Sequence, residues 1–287
     1  MALRQNFTLS DGRNLEYLTN GLKSDSAIIL HAGTTGDITG WQTWLDYFAS
    51  CGVFALSFGR SGYAGSTAMP GRITIDVADD VAELASALGI TKFVNVGLSG
   101  GGQHAIATGL DPRSVGVVTV GSLAPFAELG ADFYTGMQQA DLDEYADALR
   151  DINDLVKRFQ KWQDGDVGET IVGAELSARD KLASSKPTWK VALDSCVFTM
   201  QQGWDWVADD YSSYLKPWGF DPRDVKVPAV IWQGGVDKNV PVQNGKWLAA
   251  NMPNAKLELR ADESHLGVFV NYEEEIMQSA IALLTSF

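Results

Sequence analysis

The chain has 287 residues, 45% of them hydrophobic and 20% charged, with a formal net charge of −14. A core of that size needs no disulfide or metal staple, and so acidic a surface repels phosphate backbones and anionic lipid, which excludes nucleic acid as the expected partner. No run of about 18 apolar residues offers a membrane span, and MALRQNFTLSDG at the start lacks the apolar stretch of a signal peptide, so a cytoplasmic location is expected. Cys51 and Cys196 have no metal-ligand spacing and are expected as two free buried thiols.

Along the chain, Phe7–Leu9 and Leu15–Thr19 flank Asp11-Gly12 and predict a hairpin. Ala27–Leu30 is a short buried strand ending in His31-Ala32-Gly33. Trp41–Ala49 has helical spacing, and Val53–Phe58 reads as another buried strand. Ile73–Leu88 predicts an amphipathic helix with Asp76, Asp79, Asp80 and Glu83 on its wet side, ended by Gly89. Lys92–Gly97 and Val115–Val120 are further buried strands, separated by a small-residue helix over about 100–109. Such alternation indicates a parallel sheet covered on both faces.

The rhythm stops near Ala124. From there to about Trp218 the pattern is helical, without a convincing strand, and resumes with strands at Val227–Trp232 and Lys256–Arg260 and a last helix near Tyr272–Thr285. The expected organisation is one α/β core, residues 1–123 and 221–287, interrupted by a helical insertion at 124–220.

Gly97-Leu98-Ser99-Gly100-Gly101 follows a predicted strand and opens a predicted helix. A G-x-S-x-G in that setting places a serine hydroxyl on a strained strand-to-helix turn. A serine needs a base, and the base needs an orienting acid. Apart from His104 on the adjoining helix, His265 is the one histidine after Ser99, and it lies just past the last strand. Asp237, after the strand Val227–Trp232, is the expected acid. Asp262 and Glu263 are rivals in sequence, but they adjoin His265 and are badly placed to reach its Nδ1–H. The developing oxyanion calls for two N–H donors. Gly100 supplies one, and the loop His31–Gly36 the other, from Gly33 or alternatively Thr34. His31 is expected to be structural, hydrogen-bonding its loop, and His104 to pack behind the turn. No pair of histidines has zinc spacing, so no metal is expected.

With these residues in place the chain resembles the α/β-hydrolase superfamily, and most of all its capped serine hydrolases of bacterial type. HAGTTG at 31–36, GRSGYAGS at 59–66, GLSGGGQHA at 97–105, GGVDKNVP at 234–241 and ESHLG at 263–267 carry the likeness by their order and spacing. The resemblance implies a mostly parallel sheet flanked by helices, a helical cap, a triad of Ser99, Asp237 and His265, a backbone oxyanion hole and no cofactor. Two departures stand out. Ala32 occupies a position where many relatives go directly from histidine to glycine, and Phe58-Gly59 replaces the aspartate that often precedes the arginine.

The insertion then reads as a cap over a pocket for a small-molecule substrate, with Thr34, Phe126 and Trp204 as the residues expected to touch it. Most of its other aromatic side chains are expected as cap core. Asp132, Asp141, Asp143 and Glu144 are carboxylates available to hold a substrate ammonium, although such residues on a helix more often form a solvated face. Three functions fit: cleavage of a small or medium, mostly apolar carboxylic ester or lactone; the same triad acting on a C–C, amide or aminoacyl bond; and a ligand-sensing protein that retains the triad.

Overall fold

A computed structural model describes residues 4–162 and 177–286. Eight strands form one sheet: β1 (Gln5–Thr8), β2 (Asn14–Thr19), β3 (Ser26–His31), β4 (Ala55–Phe58), β5 (Lys92–Leu98), β6 (Ser114–Val120), β7 (Ala229–Gly234) and β8 (Ala255–Arg260). Their spatial order is β1-β2-β4-β3-β5-β6-β7-β8. The expected hairpin is β1–β2, and β2 also runs antiparallel to β4, while every pairing from β4 to β8 is parallel.

The inner strands are apolar on both faces because helices cover both. On β3, Ile28 and Leu30 face a layer containing Trp44, Phe48, Phe269 and Ile276. Ala27 and Ile29 face the opposite way, toward Val81 and Leu84. The helix Asp76–Ala87 is terminated as expected, with Gly89 at φ 72°. Its wet face needs one correction: Asp80 is buried, because Arg13 reaches it from the hairpin at 2.6 Å and Ser61 donates to it at 3.2 Å.

Between β6 and β7 the described residues contain no strand. They form helices Phe126–Leu129, Gln139–Arg150, Ile152–Trp162, Ala178–Ser184, Pro187–Met200 and Asp205–Leu215. Part of the expected cap, 163–176, lies outside the described residues. These helices have their own core, in which Phe133, Tyr145, Leu155, Phe159, Trp204, Trp206 and Tyr211 pack together. No described helix is long and apolar enough to cross a membrane. Both cysteines are free, but Cys51 is exposed at the end of the helix Gln42–Ser50 rather than buried, and Cys196 is half-buried.

Candidate active site

Parallel topology brings the carboxyl ends of β3, β5, β7 and β8 to one edge, and the chemistry-bearing loops leave from there. The register pairs His31 with Gly97, so the loop after β3 lies beside the turn after β5. Ser99 occupies that turn at φ 52°, a left-handed conformation unfavourable to a residue with a Cβ. The strain persists because neighbouring backbone closes on the turn: a methyl on Gly101 would collide with the carbonyl oxygens of His31 and Ala32. A single turn of 3-10 helix, Ser99–Gly101, leads into the helix Gly102–Thr108.

Asp237 is buried three residues past β7, and four donors meet its carboxylate. The amides of Asn239 and Val240 bond Oδ1 at 3.0 and 2.8 Å. Gln233 Nε2 and His265 Nδ1 lie 3.3 and 2.7 Å from Oδ2. His265 opens the helix His265–Asn271, capped by Ser264, whose Oγ accepts from the Gly267 amide at 3.0 Å. With Nδ1 donating to Asp237, Nε2 is the ring atom left for a reacting group. Burial opposes the charged imidazolium, but the charge and hydrogen bond of Asp237, with the charge of Asp141, leave the net shift upward. Gly121, at φ 54° just after β6, is the floor beneath this pair: a Cβ there would stand 2.9 Å from both Cε1 and Nδ1 of His265. The rival carboxylates are elsewhere. Glu263 is buried against Arg179 and Asn271, and Asp262 is exposed.

Gly33 sits close to the serine, for a Cβ on it would lie 3.3 Å from the Cβ of Ser99. A Cβ on Gly100 would collide with the hydroxyls of Thr34 and Tyr214, so these two oxygens cover its backbone. His31 is buried and its Nε2 meets Asn95 on β5 at 3.2 Å rather than its own loop. Burial pushes its pKa down to about 3, and burial likewise holds His104, bonded to the Thr74 carbonyl, well below the usual range. Both are neutral framework groups.

A cavity of about 810 Å³ joins Ser99, His265, Gly33, Thr34 and Gly100 to the inserted helices. Phe159, Trp189, Leu193 and Met200 give it an apolar wall. Of the three residues expected to touch a substrate, Thr34 lines it and the other two do not. Phe126 packs edge-on against Phe133 and Tyr134, with ring centres 5.2 and 5.8 Å away. Trp204 lies behind Phe159, 5.8 Å between ring centres. Aromatic residues at helical spacing serve core and cavity alike, and only packing separates them.

The acidic residues divide in the same way. Asp132 is exposed, whereas Asp141 and Glu144 line the cavity. Asp141 accepts from Gln138 Nε2 at 3.1 Å and Asn239 Nδ2 at 3.0 Å, and burial raises its pKa to about 6. Glu144 accepts from Tyr211, and burial, with Asp141 nearby, raises its pKa to about 8. The sequence contains both residues but no signal that a helix carrying them turns this face inward. Among the described residues no cluster of His, Cys, Asp or Glu has the makings of a metal site.

The family model described as alpha/beta hydrolase fold matches residues 26–272. No curated protein sequence matches the chain. Among solved structures it is similar to an alpha/beta hydrolase fold protein from Chitinophaga pinensis, with TM-score 0.72 and 20% identity over 100% of this chain and 98% of that one. It is also similar to the enol-lactonase from Burkholderia xenovorans LB400, with TM-score 0.69 and 18% identity over 98% and 100%. An esterase from Exiguobacterium antarcticum matches with TM-score 0.66 and 15% identity over 99% and 100%. At these identities the likeness is one of fold.

Proposed function

Since the chain belongs to the alpha/beta hydrolase fold family, we propose that it is a serine hydrolase that cleaves a small or medium, mostly apolar carboxylic ester or lactone through an acyl-enzyme on Ser99. The observation that carries this reading is the 2.7 Å bond from His265 Nδ1 to a buried Asp237, with His265 lining the same cavity as a serine held at φ 52°. His265 Nε2 takes the Ser99 proton as Oγ attacks the carbonyl carbon, and Asp237 holds the ring orientation and stabilises the imidazolium. The oxyanion is received by the amides of Gly100 and Gly33, with Thr34 the alternative second donor. The ester bond breaks as His265 returns the proton to the leaving oxygen. Water, activated by the same imidazole, then releases the acid. The segment 124–220 acts as the cap that closes the pocket over these groups.

The apolar wall supports an apolar acyl or alcohol group. Asp141 and Glu144 support a second reading within the same chemistry, an aminoacyl substrate whose ammonium they would receive. Rates on matched ester, amide and aminoacyl substrates separate the two.

The first test is covalent. A fluorophosphonate should add once to the wild type by intact mass and not at all to Ser99→Ala. A folded wild type that stays unlabelled would remove the serine mechanism and leave the ligand-sensing alternative.

A further inference from the structure

Asp210 lies wholly buried on the inserted helix Asp205–Leu215, yet its partners belong mostly to the sheet domain. Arg60 Nη2 reaches it at 2.6 Å, and Arg72 and Tyr63 also donate to it. One helical turn on, Tyr214 donates its hydroxyl to the same carboxylate at 2.8 Å. A phenol has one proton. With that proton given to Asp210, the Tyr214 oxygen can only accept from Thr34, so the Thr34 hydroxyl donates toward the helix. Arg60 meanwhile uses Nη1 to bond the Ala32 carbonyl.

These contacts converge on a short stretch of chain. Ala32 and Thr34 flank Gly33, and both are gripped by groups that a single carboxylate holds in place. The Thr34 and Tyr214 oxygens also stand over the backbone of Gly100. The loop that carries the Gly33 amide is therefore held on both sides by the Asp210 network, and two oxygens of that network adjoin Gly100. Hydrogen-bond donors stabilise an oxyanion in proportion to how well they are aimed before the charge appears, and an aim set by loop backbone alone is loose.

We infer that Tyr214 is a positioning residue for the oxyanion hole: anchored by Asp210, it holds Thr34 and with it the Gly33 amide, so that the inserted helix sets transition-state stabilisation in the loop after β3. The inference rests on the serine-hydrolase reading of Ser99. It predicts a loss in kcat rather than in substrate binding, because the aim of Gly33 matters most once the oxyanion forms.

The test compares wild type with Tyr214→Phe, Thr34→Val, Thr34→Ser and the Tyr214→Phe/Thr34→Val pair, using a p-nitrophenyl ester and the rate of fluorophosphonate labelling. Tyr214→Phe and Thr34→Val should each lower kcat and the labelling rate by about tenfold, with KM within about twofold for Tyr214→Phe, a fraction of the loss expected for deleting a donor outright. Thr34→Ser, which keeps the hydroxyl, should recover most of what Thr34→Val loses. The double variant should be no slower than the slower single variant, since both singles remove the Thr34–Tyr214 bond and Tyr214→Phe already removes the bond to Asp210 as well. Melting temperatures report folding, and the two single variants approach the bond from opposite sides, so one folded variant suffices. Unchanged kcat, a change in KM alone, or losses that multiply in the double variant would overturn the inference while wild-type labelling at Ser99 leaves the hydrolase reading standing. An unlabelled wild type would overturn both.

Discussion

Gly121→Ala probes the geometry of the His265–Asp237 pair from beneath. The added methyl would sit 2.9 Å from His265 Cε1 and Nδ1 and 3.2 Å from Asp237 Oδ2. An ordinary contact needs about 3.5 Å, so the imidazole or the end of β6 must move by roughly 0.6 Å. Productive catalytic geometry tolerates about 0.5 Å, and a displacement of about 1 Å can cost about 100-fold. A loss of roughly tenfold in kcat is therefore expected, with little change in KM. The backbone adds its own effect, because φ is 54° and a Cβ in that region costs about 1 kcal/mol. For a chain of this length that lowers the melting temperature by about 2 °C. Gly12→Ala is the matched control, with φ 88° and open space around the new methyl. It should lose similar stability and keep its kcat. The assay is steady-state ester hydrolysis alongside thermal melts of both variants. Equal kcat in Gly121→Ala and Gly12→Ala would refute the claim that Gly121 is kept bare to seat the His–Asp pair.

Three further outcomes follow from the same site. Asp237→Asn should keep the fold but lower kcat by about 10⁴, because the amide no longer fixes the imidazole tautomer or stabilises its charged form, and single-turnover acylation rates would show it. Asp141→Asn removes a carboxylate that helps hold the His265 pKa up. In the proposed mechanism His265 acts as a neutral base, so the acid limb of kcat/KM should move to lower pH, and an unmoved limb would count against the coupling. Glu144 is protonated more readily in the folded chain, with its pKa raised from 4.5 to about 8. A raised folded pKa contributes stability below the unfolded value, and that contribution is lost as pH rises from about 4.5 through about 8. Glu144→Gln should therefore melt higher than wild type at pH 9 and close to it at pH 5.

Much of the sheet was legible because the inner strands are mostly apolar runs and helical spacing separates several of them. The element ends were less so: β7 begins at Ala229 rather than Val227, since its ladder starts only where Val117 on β6 pairs with Ala229. Ser99, Asp237 and His265 could be proposed from motif order alone, as they occupy fixed places after particular strands. The inserted helices offered no such frame. There Phe126, Trp204, Asp141 and Glu144 are all compatible with either face of a helix, and tertiary packing assigns the two carboxylates, not the two aromatics, to the cavity. Arg60 was visible in its block, but its partner Asp210 lies 150 positions away, and nothing local in the sequence joins them.

The buried seam at Asp210 also bears on how this protein can be divided. Arg60 and Arg72 stand on the sheet side with their guanidinium groups almost wholly shielded, and the one carboxylate they share arrives on inserted chain. Exchanging that chain for another protein's that covers the seam without a carboxylate would strand two positive charges in a low-dielectric interior, a change that commonly costs several kcal/mol for each uncompensated ion. A chimera would need to inherit Arg60, Arg72 and Asp210 together. The insertion is continuous in sequence, but by its electrostatics it is not a detachable module, and recombination breakpoints placed at its ends would fall on the wrong side of the charge balance.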